Sequence, residues 1–432
     1  MQSPGFPSTR RSFLATTMAL SGLPSLRAAD RTAAIAVAVA HSEIWRRFID
    51  EYNIMIDFAG LDGSVALPTP EECREGKPNA LGWWSPIENG AMFNGQYMDA
   101  MVNRWKQTGE EETAAKARRL MEGLLHLNNI SDVPGFIGRG VTTDGKSHYP
   151  MGSNDQSFPW FAGLWRYLES GLATEDEHAL IKAQLVKTAD IIVGGNWQMP
   201  AEAPFGIRGT FAGFSFEDSP RLLFVCKMMH ALTGEEIWDT RYREALEERG
   251  GKDEILSRIE WCEKGMVFPG HRHSWTAAGG VVAVRGLWEM EKDEVLRSRY
   301  AQGLQASADE AMGSLEIARK WGNADTSYFE HNWRVMNETW VPQTTEQEAQ
   351  KLAEAQLRDF SKVSPRRGLE TKLVREPTFA AWIVTLAPDP VILRERAPAV
   401  EQVIAHYDYD KLIYSQFFPV ESAWWRLEAA RS

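Results

Sequence analysis

The sequence predicts an all-α protein, and more specifically an (α/α)6 toroid of six inner and six outer helices. An apolar, aromatic-rich segment ends in a glycine or acidic turn and is followed by a charged amphipathic segment. This unit begins six times, near residues 88, 156, 217, 275, 328 and 376. A helix that is apolar on all faces is buried, whereas a helix with a charged face lies outside. The repeat therefore predicts buried inner helices and exposed outer ones.

The turns within each unit support the helix boundaries. Gly109 and Gly234 are each followed by glutamate, which suits the end of one helix and the positive start of the next. The predicted inner and outer helices are, in chain order, 88–107 and through 127, 156–170 and 175–193, 217–232 and 236–249, 275–290 and 292–320, 328–340 and 345–360, and 376–386 and 391–406. We expect a helix over 33–56 to cap the ring and an aromatic C-terminal tail to pack back on it.

The connections between units are long and predict where a site lies. Segments 128–155, 194–216, 250–274 and 361–375 each lead from an outer helix to the start of the next inner helix. Long ordered loops in a compact domain are usually functional. All of them should gather at one end of the ring, where helix N-termini favour an anionic ligand. Asp144-Gly145 is a tight-turn signal, so a short β-hairpin is expected over 136–149.

Composition excludes several classes of protein. The 432 residues carry a net charge of −12, which argues against a nucleic-acid binder, since these need a basic face. Cys73, Cys226 and Cys262 are too few for a disulfide scaffold and lack zinc-ribbon spacing. Seventeen tryptophans, several in loop-like sequence, suit an open cleft for flat ligands with apolar faces, such as sugars.

The sequence of the N-terminal residues is typical of an export signal. Arg10 and Arg11 lie in a twin-arginine sequence that precedes a mild apolar run over 13–26, too short to span a membrane. We expect residues 1–29 to direct export to a bacterial periplasm or beyond. Residues 30–432 are then a single catalytic domain, and no other segment reaches the ~18 apolar residues that a membrane helix needs.

Asp155 is the leading catalytic candidate. It stands in the first turn of the second inner helix, beside Phe158 and Trp160. Aromatic neighbours favour a protonated carboxyl group, as a general acid requires. A carboxylate that only caps the helix is the alternative, since aspartate is common at helix starts.

Glycoside chemistry needs a second carboxylate across the scissile bond. Glu88 opens the first inner helix and Asp218 opens the third. Either residue is a candidate partner for Asp155, and either can instead be a helix cap.

Further loop residues are candidates for substrate binding. An arginine side chain can bind a carboxylate through two hydrogen bonds, and a tryptophan ring can stack on a sugar ring. His271 and His273 form an HxH pair, but zinc needs at least a third ligand, so we expect no metal and no cofactor. The candidate binding residues are Arg139, His148, Arg272, His271, Arg366, Trp84, Trp160 and Trp275.

The helix-pair pattern over residues 80–406 resembles the six-hairpin glycosidase superfamily. Within it, DQSFPWFAGLW from Asp155 onward looks like a segment of the unsaturated rhamnogalacturonyl and glucuronyl hydrolases. The resemblance implies that Asp155 is a general acid and base that hydrates the enol-ether double bond of an unsaturated uronic acid. A toroid-fold β-glucuronidase fits equally well.

We therefore expect an exported glycoside hydrolase that acts on uronic-acid-containing oligosaccharides, with no nucleic-acid partner and no membrane span. Toroids of this kind also include polysaccharide lyases, so a lyase that uses Tyr149 or His271 with an arginine is one alternative. A non-catalytic glycan-binding protein is the other. Fold alone does not choose between them.

Overall fold

The computed structural model describes residues 32–252, 254–266, 273–323 and 332–431. This part of the chain is mostly helical, with four very short strands, which confirms the all-α prediction. The α-helices are α1 Ala33–Glu43, α2 Pro70–Glu75, α3 Gly90–Thr108, α4 Glu111–Asn128, α5 Asn154–Glu169, α6 Glu175–Gly194, α7 Ser219–Thr233, α8 Glu236–Glu247, α9 Arg258–Lys264, α10 Ser274–Met290, α11 Glu294–Leu315, α12 Glu346–Val363, α13 Pro365–Glu370, α14 Glu376–Thr385, α15 Pro390–His406 and α16 Pro419–Arg431. The strands are β1 Gln198–Pro200, β2 Ile207–Thr210, β3 Arg249–Gly250 and β4 Leu256–Ser257.

The local sequence explains the helix ends. A capping box at Thr174 and Glu177 begins α6, and a second one at Thr345 and Glu348 begins α12, so each satisfies two backbone groups. Gly234 ends α7 in the left-handed conformation (φ +72°), which a residue without Cβ adopts freely. These signals set the predicted turns within the helix pairs.

The helix contacts follow the predicted division into buried and exposed helices. The buried helix α3 packs against α5 and α16, α5 contacts α7 and α10, α10 contacts α7 and α14, and α14 contacts α16. Each buried helix also has a more exposed partner. These pairs are α3 with α4, α5 with α6, α7 with α8, α10 with α11, α14 with α15, and α16 with α1.

The fifth predicted pair is wrong in its first half. Residues 324–331 lie outside the described residues, and Trp333–Thr339 forms one short 3₁₀-helix that packs on α12. Trp333 is buried with Phe58 and Phe360 in a small cluster separate from the main core. The pattern of large apolar residues there serves this satellite cluster rather than an inner helix.

Two terminal predictions also need correction. The C-terminal segment is no tail, because α16 is a helix that packs between α3 and α14. The predicted helix over 33–56 continues past α1 only as a π-helical turn, Ile44–Phe48, and then reverses so that Ile49 pairs with Met55. Asp50 stabilises this reversal, since its carboxylate accepts backbone hydrogen bonds from Tyr52 and Ile54.

The predicted hairpin over 136–149 is wrong, although its turn forms. The Gly145 backbone N–H donates to the Thr142 carbonyl and Gly145 has φ +66°. The flanking residues form no ladder, because the Gly138 backbone N–H instead donates to the carbonyl of Leu127 in α4. Short antiparallel pairs form in the next two loops, β1 with β2 and β3 with β4. None of the described helices is long and apolar enough to cross a membrane.

Candidate active site

The N-terminal ends of the buried helices lie together, as the loop lengths predict. The backbone N–H of Ser274, which begins α10, donates to the carboxylate of Glu376, which begins α14, at 2.7 Å. Arg221 in the first turn of α7 donates to Asp155 in the first turn of α5 at 3.1 Å. The long loops therefore converge on one end of the helix assembly.

A cavity of about 320 Å³ opens at this end. It lies between the start of α3, the segment before α16, and the region from α12 to α14. Its lining residues are Asp57, Phe58, Trp83, Trp84, Glu88, Asn89, Trp275, Leu357, Arg367, Arg375, Tyr414 and Gln416. Three of the sequence candidates are among them, namely Glu88, Trp84 and Trp275.

Asp57 and Glu88 form a carboxyl pair in this cavity. Asp57 is 2% exposed, and Asn89 donates to it from its backbone N–H at 2.9 Å and its side chain at 2.7 Å. Burial and the charge of Glu88 raise the pKa of Asp57 well above its usual range. Glu88 is half-buried and accepts a 2.7 Å hydrogen bond from the Trp84 backbone N–H. The pair thus combines a carboxyl group that favours its protonated form with a second carboxylate.

Two arginines stack on the tryptophan walls of the cavity. The Arg375 guanidinium lies 4.1 Å from the centre of the Trp275 ring, and that of Arg367 lies 4.4 Å from Trp84. Burial and the nearby charge of Arg367 lower the pKa of Arg375 to about 9, so it stays charged at neutral pH. Stacking fixes both cations beside Glu88, where they face the cavity.

Two arginines lie among the four charged residues of the cavity, although the whole chain is acidic. Its charged lining residues are Asp57, Glu88, Arg367 and Arg375. The raised pKa of Asp57 reduces the negative charge that opposes the two arginines. A bound anion would therefore be favoured here.

Unpartnered polar atoms also face this region. Among the described residues, Arg375 Nε and Gln416 Oε1 are buried and have no hydrogen-bond partner. Both residues line the cavity, and Gln416 is 8% exposed. Buried polar atoms normally have partners, so a polar ligand in the cavity would satisfy one donor and one acceptor.

Asp155 lies at the same end but does not line the cavity. Its side chain is 55% exposed and pairs with the buried Arg221. Phe158 and Trp160 were expected to surround its carboxylate, but both rings are buried in the core. The indole N–H of Trp160 donates to the Leu124 carbonyl, so Trp160 is a core residue and no stacking platform.

Asp218 lies near Asp155, at the start of α7. It accepts a 3.0 Å hydrogen bond from the Ser215 hydroxyl and, although it precedes the helix, it makes no capping bond. Burial and the charge of Asp155 raise its pKa, while Arg221 opposes the shift. Glu217 beside it has a raised pKa for the same main reason. None of these three acidic residues lines the cavity.

Two arginines predicted to bind substrate are structural. Arg139 is 4% exposed and its guanidinium donates to the backbone carbonyls of Glu88, Met151 and Gly152. It holds the start of α3 against the loop before α5. Arg366 is 5% exposed and pairs with Glu370 at 2.8 Å. Both arginines were predicted to bind substrate because of their positions in the long loops, but both are buried and engaged by acceptors of the protein itself.

The remaining candidates are distributed elsewhere. His148 lines a different groove, where its Nε2 lies 3.1 Å from a Glu202 carboxylate oxygen. Tyr149, the proposed lyase base, has a buried ring and donates to the Lys77 carbonyl. His271 and Arg272 lie outside the described residues.

Sequence reasoning missed Asp57, Arg367 and Arg375. Asp57 follows the chain reversal after α1 and lies one residue past the range 33–56 that was predicted as a capping helix. Arg367 adjoins Arg366, the residue that was predicted to bind substrate and that pairs with Glu370 instead. Arg375 adjoins the first residue of α14, and the arginine just before an inner-helix start was the signal available.

Within the described ranges, no group of three or more His, Cys, Asp or Glu is arranged to hold a metal ion. Comparison of the chain with protein-family models, with curated proteins and with solved structures finds no match. The chemistry of the site therefore rests on its own geometry.

Proposed function

We propose that the protein is a glycoside hydrolase of (α/α)6 toroid fold that acts on uronic-acid-containing oligosaccharides. The contacts that lead from α3 through α5, α10 and α14 to α16 and back to α3 support a closed inner ring, with α7 between α5 and α10. The exposed partners α4, α6, α8, α11, α15 and α1 supply the outer ring. The contact of α16 with α1, the first described helix, supplies the sixth pair of this arrangement.

The observation that carries the proposed activity is the Asp57–Glu88 pair. Hydrolysis of a glycosidic bond uses one carboxyl group as proton donor and a second carboxylate on the opposite side of the bond. Asp57, with its raised pKa, donates its proton to the leaving oxygen as the bond to the anomeric carbon breaks. Glu88 accepts the proton of the water that attacks that carbon. Asp155 and Asp218, which lie outside the cavity lining, are second candidates for these roles.

The arginines of the cavity favour a uronic acid over a neutral sugar. Arg367 and Arg375 present guanidinium groups beside the carboxyl pair, and each is fixed on a tryptophan. A planar guanidinium binds a carboxylate with two hydrogen bonds. Trp84 and Trp275 supply the apolar surface that a sugar ring contacts.

The lyase alternative has less support. A lyase needs a base that removes the proton next to a neutralised carboxylate. Tyr149 is buried and its hydroxyl is engaged, while burial raises the pKa of Tyr414, the tyrosine that lines the cavity. A phenol with a raised pKa is a weak source of the required phenolate at neutral pH.

The test is turnover of saturated, unsaturated and neutral oligosaccharides, followed by reducing ends and by enol-ether absorbance. A hydrolase releases reducing ends and, on unsaturated uronides, removes that absorbance. A lyase creates the absorbance, and a binding protein changes neither signal. Appearance of new absorbance from saturated uronides would overturn the proposed reaction.

We also propose export through the twin-arginine route. The support is the sequence of residues 1–29, which lie outside the described residues. Fusion of these residues to a reporter, with Arg10 and Arg11 replaced by lysine as control, tests the proposal. Equal export of both fusions would contradict it.

A further inference from the structure

A second groove, of about 560 Å³, lies beside the cavity. Arg74 at the end of α2 lines one side, and Lys146 and His148 from the loop before α5 line another. Glu202 and Phe205, from the β1–β2 connection, complete it. Three segments that are distant in sequence thus build one polar groove.

Both carboxylates of this groove have a partner, whereas two of its cations do not. Glu75 pairs with Lys77 at 2.6 Å, and Glu202 pairs with His148. Among the described residues, neither the Arg74 guanidinium nor the Lys146 ammonium has an ion-pair partner. Arg74 and Lys146 are therefore available to contact the charged group of an anionic ligand.

The groove also offers apolar surface. Phe205 is half-buried and stands beside Pro204 and Pro150 along the groove wall. Aromatic and proline surface next to free cations matches an acidic sugar, whose ring has apolar faces and whose carboxylate needs a cation. An isolated inorganic anion would leave that surface unused.

The groove and the cavity are joined by one short stretch of chain. Gly76 and Ala80 line the groove, and Trp83 and Trp84 line the cavity a few residues later. We propose that the groove binds the further sugar residues of an acidic oligosaccharide whose end occupies the cavity. This inference rests on the proposed function, because it extends the same substrate beyond the Asp57–Glu88 pair.

The experiment compares calorimetric binding of oligogalacturonates of two and of six residues to the full chain. The wild type should bind the hexamer more tightly than the dimer. The double variant Arg74→Ala/Lys146→Ala should lose about tenfold of the hexamer affinity, as expected for two exposed charge contacts, and with it the preference for length. Lys187→Ala/Lys292→Ala, which removes two exposed lysines elsewhere, is the matched control and should keep the preference.

Two results would overturn the inference. One is an unchanged length preference in the groove variant, and the other is equal binding of a neutral hexamer to the wild type. Turnover of the dimer is measured separately and reports on the proposed function. If no uronide is turned over while the groove variant still loses hexamer binding, the hydrolase proposal fails and the acidic-sugar groove stands.

Discussion

Replacement of Glu88 by glutamine tests the carboxyl pair most directly. Glutamine keeps the size of the side chain and its oxygen can still accept the backbone N–H of Trp84, now 2.7 Å from the carboxylate. The change from a charged to a neutral acceptor should cost about 1 kcal/mol of the free energy of unfolding. The variant should therefore remain folded, with a melting temperature close to that of the wild type.

The effect on catalysis should be much larger. A carboxyl group that transfers a proton in the transition state is worth ~10²- to 10⁴-fold in rate, or about 3–5 kcal/mol of the activation barrier. Loss of the Glu88 charge also removes one cause of the raised pKa of Asp57, so this pKa should fall. We expect kcat to drop by the full factor and KM to change less.

The assay measures kcat and KM on saturated and unsaturated uronides for Glu88→Gln, Asp57→Asn and Asp155→Asn. Glu217→Gln is the matched control, because Glu217 is also a half-buried glutamate but does not line the cavity. It should keep most of the activity. If Glu88→Gln retains more than about half of the turnover, the factor expected of proton transfer is absent. Loss of activity only in Asp155→Asn would return the general acid to the residue that the family resemblance indicates.

Three further outcomes follow from the same site. Arg367→Ala should weaken binding of a uronide about tenfold, as for loss of a charge-assisted hydrogen bond, and should leave binding of a neutral sugar unchanged; calorimetry at low and high salt checks this. The pKa of Asp57 is raised in the folded state above its ordinary value of 3.8. The protonated Asp57 therefore contributes its full stabilisation below pH 3.8, and this contribution is lost as the pH rises through the pKa of the folded state. Urea unfolding from acidic to neutral pH should show wild-type stability falling relative to Asp57→Asn, and parallel curves would contradict the assignment. Burial opposes the shift, but the hydrogen bond to Glu202 raises the pKa of His148 above 6.5. The stabilisation from the His148–Glu202 pair should therefore be lost as the pH rises through the raised pKa of the folded state. The melting temperatures of wild type and His148→Gln should converge at alkaline pH.

The sequence predicted the helix pairs well where turn chemistry and hydrophobic period agreed. Gly109 and Gly234 end α3 and α7 at the predicted turns, and acidic residues begin the helices that follow. The prediction failed at the fifth helix pair. Trp333 and its neighbours are apolar there because they pack in a satellite cluster rather than in an inner helix. Periodicity reports that a residue is buried, but not which partner buries it.

The sequence predicted the location of the candidate site better than its individual residues. Loop lengths indicated one end of the helix assembly, and Glu88, Trp84 and Trp275 line the cavity found there. Trp160 and Arg139 were wrong as substrate contacts because both side chains are buried and satisfied by backbone carbonyls. The direction of these side chains depends on the neighbouring elements, which a single sequence does not specify.

The sequence itself determined the helix content, the division into buried and exposed helices, and the end at which the long loops gather. They follow from local turn chemistry and from the 3.6-residue period, which act within one helix pair. Only the tertiary structure decided the pairing of Asp57 with Glu88, the stacking of Arg375 on Trp275, and the position of α16 beside α3. Each joins residues from separate elements, and the raised pKa of Asp57 exists only because packing removes that carboxyl group from water and sets it beside a second charge.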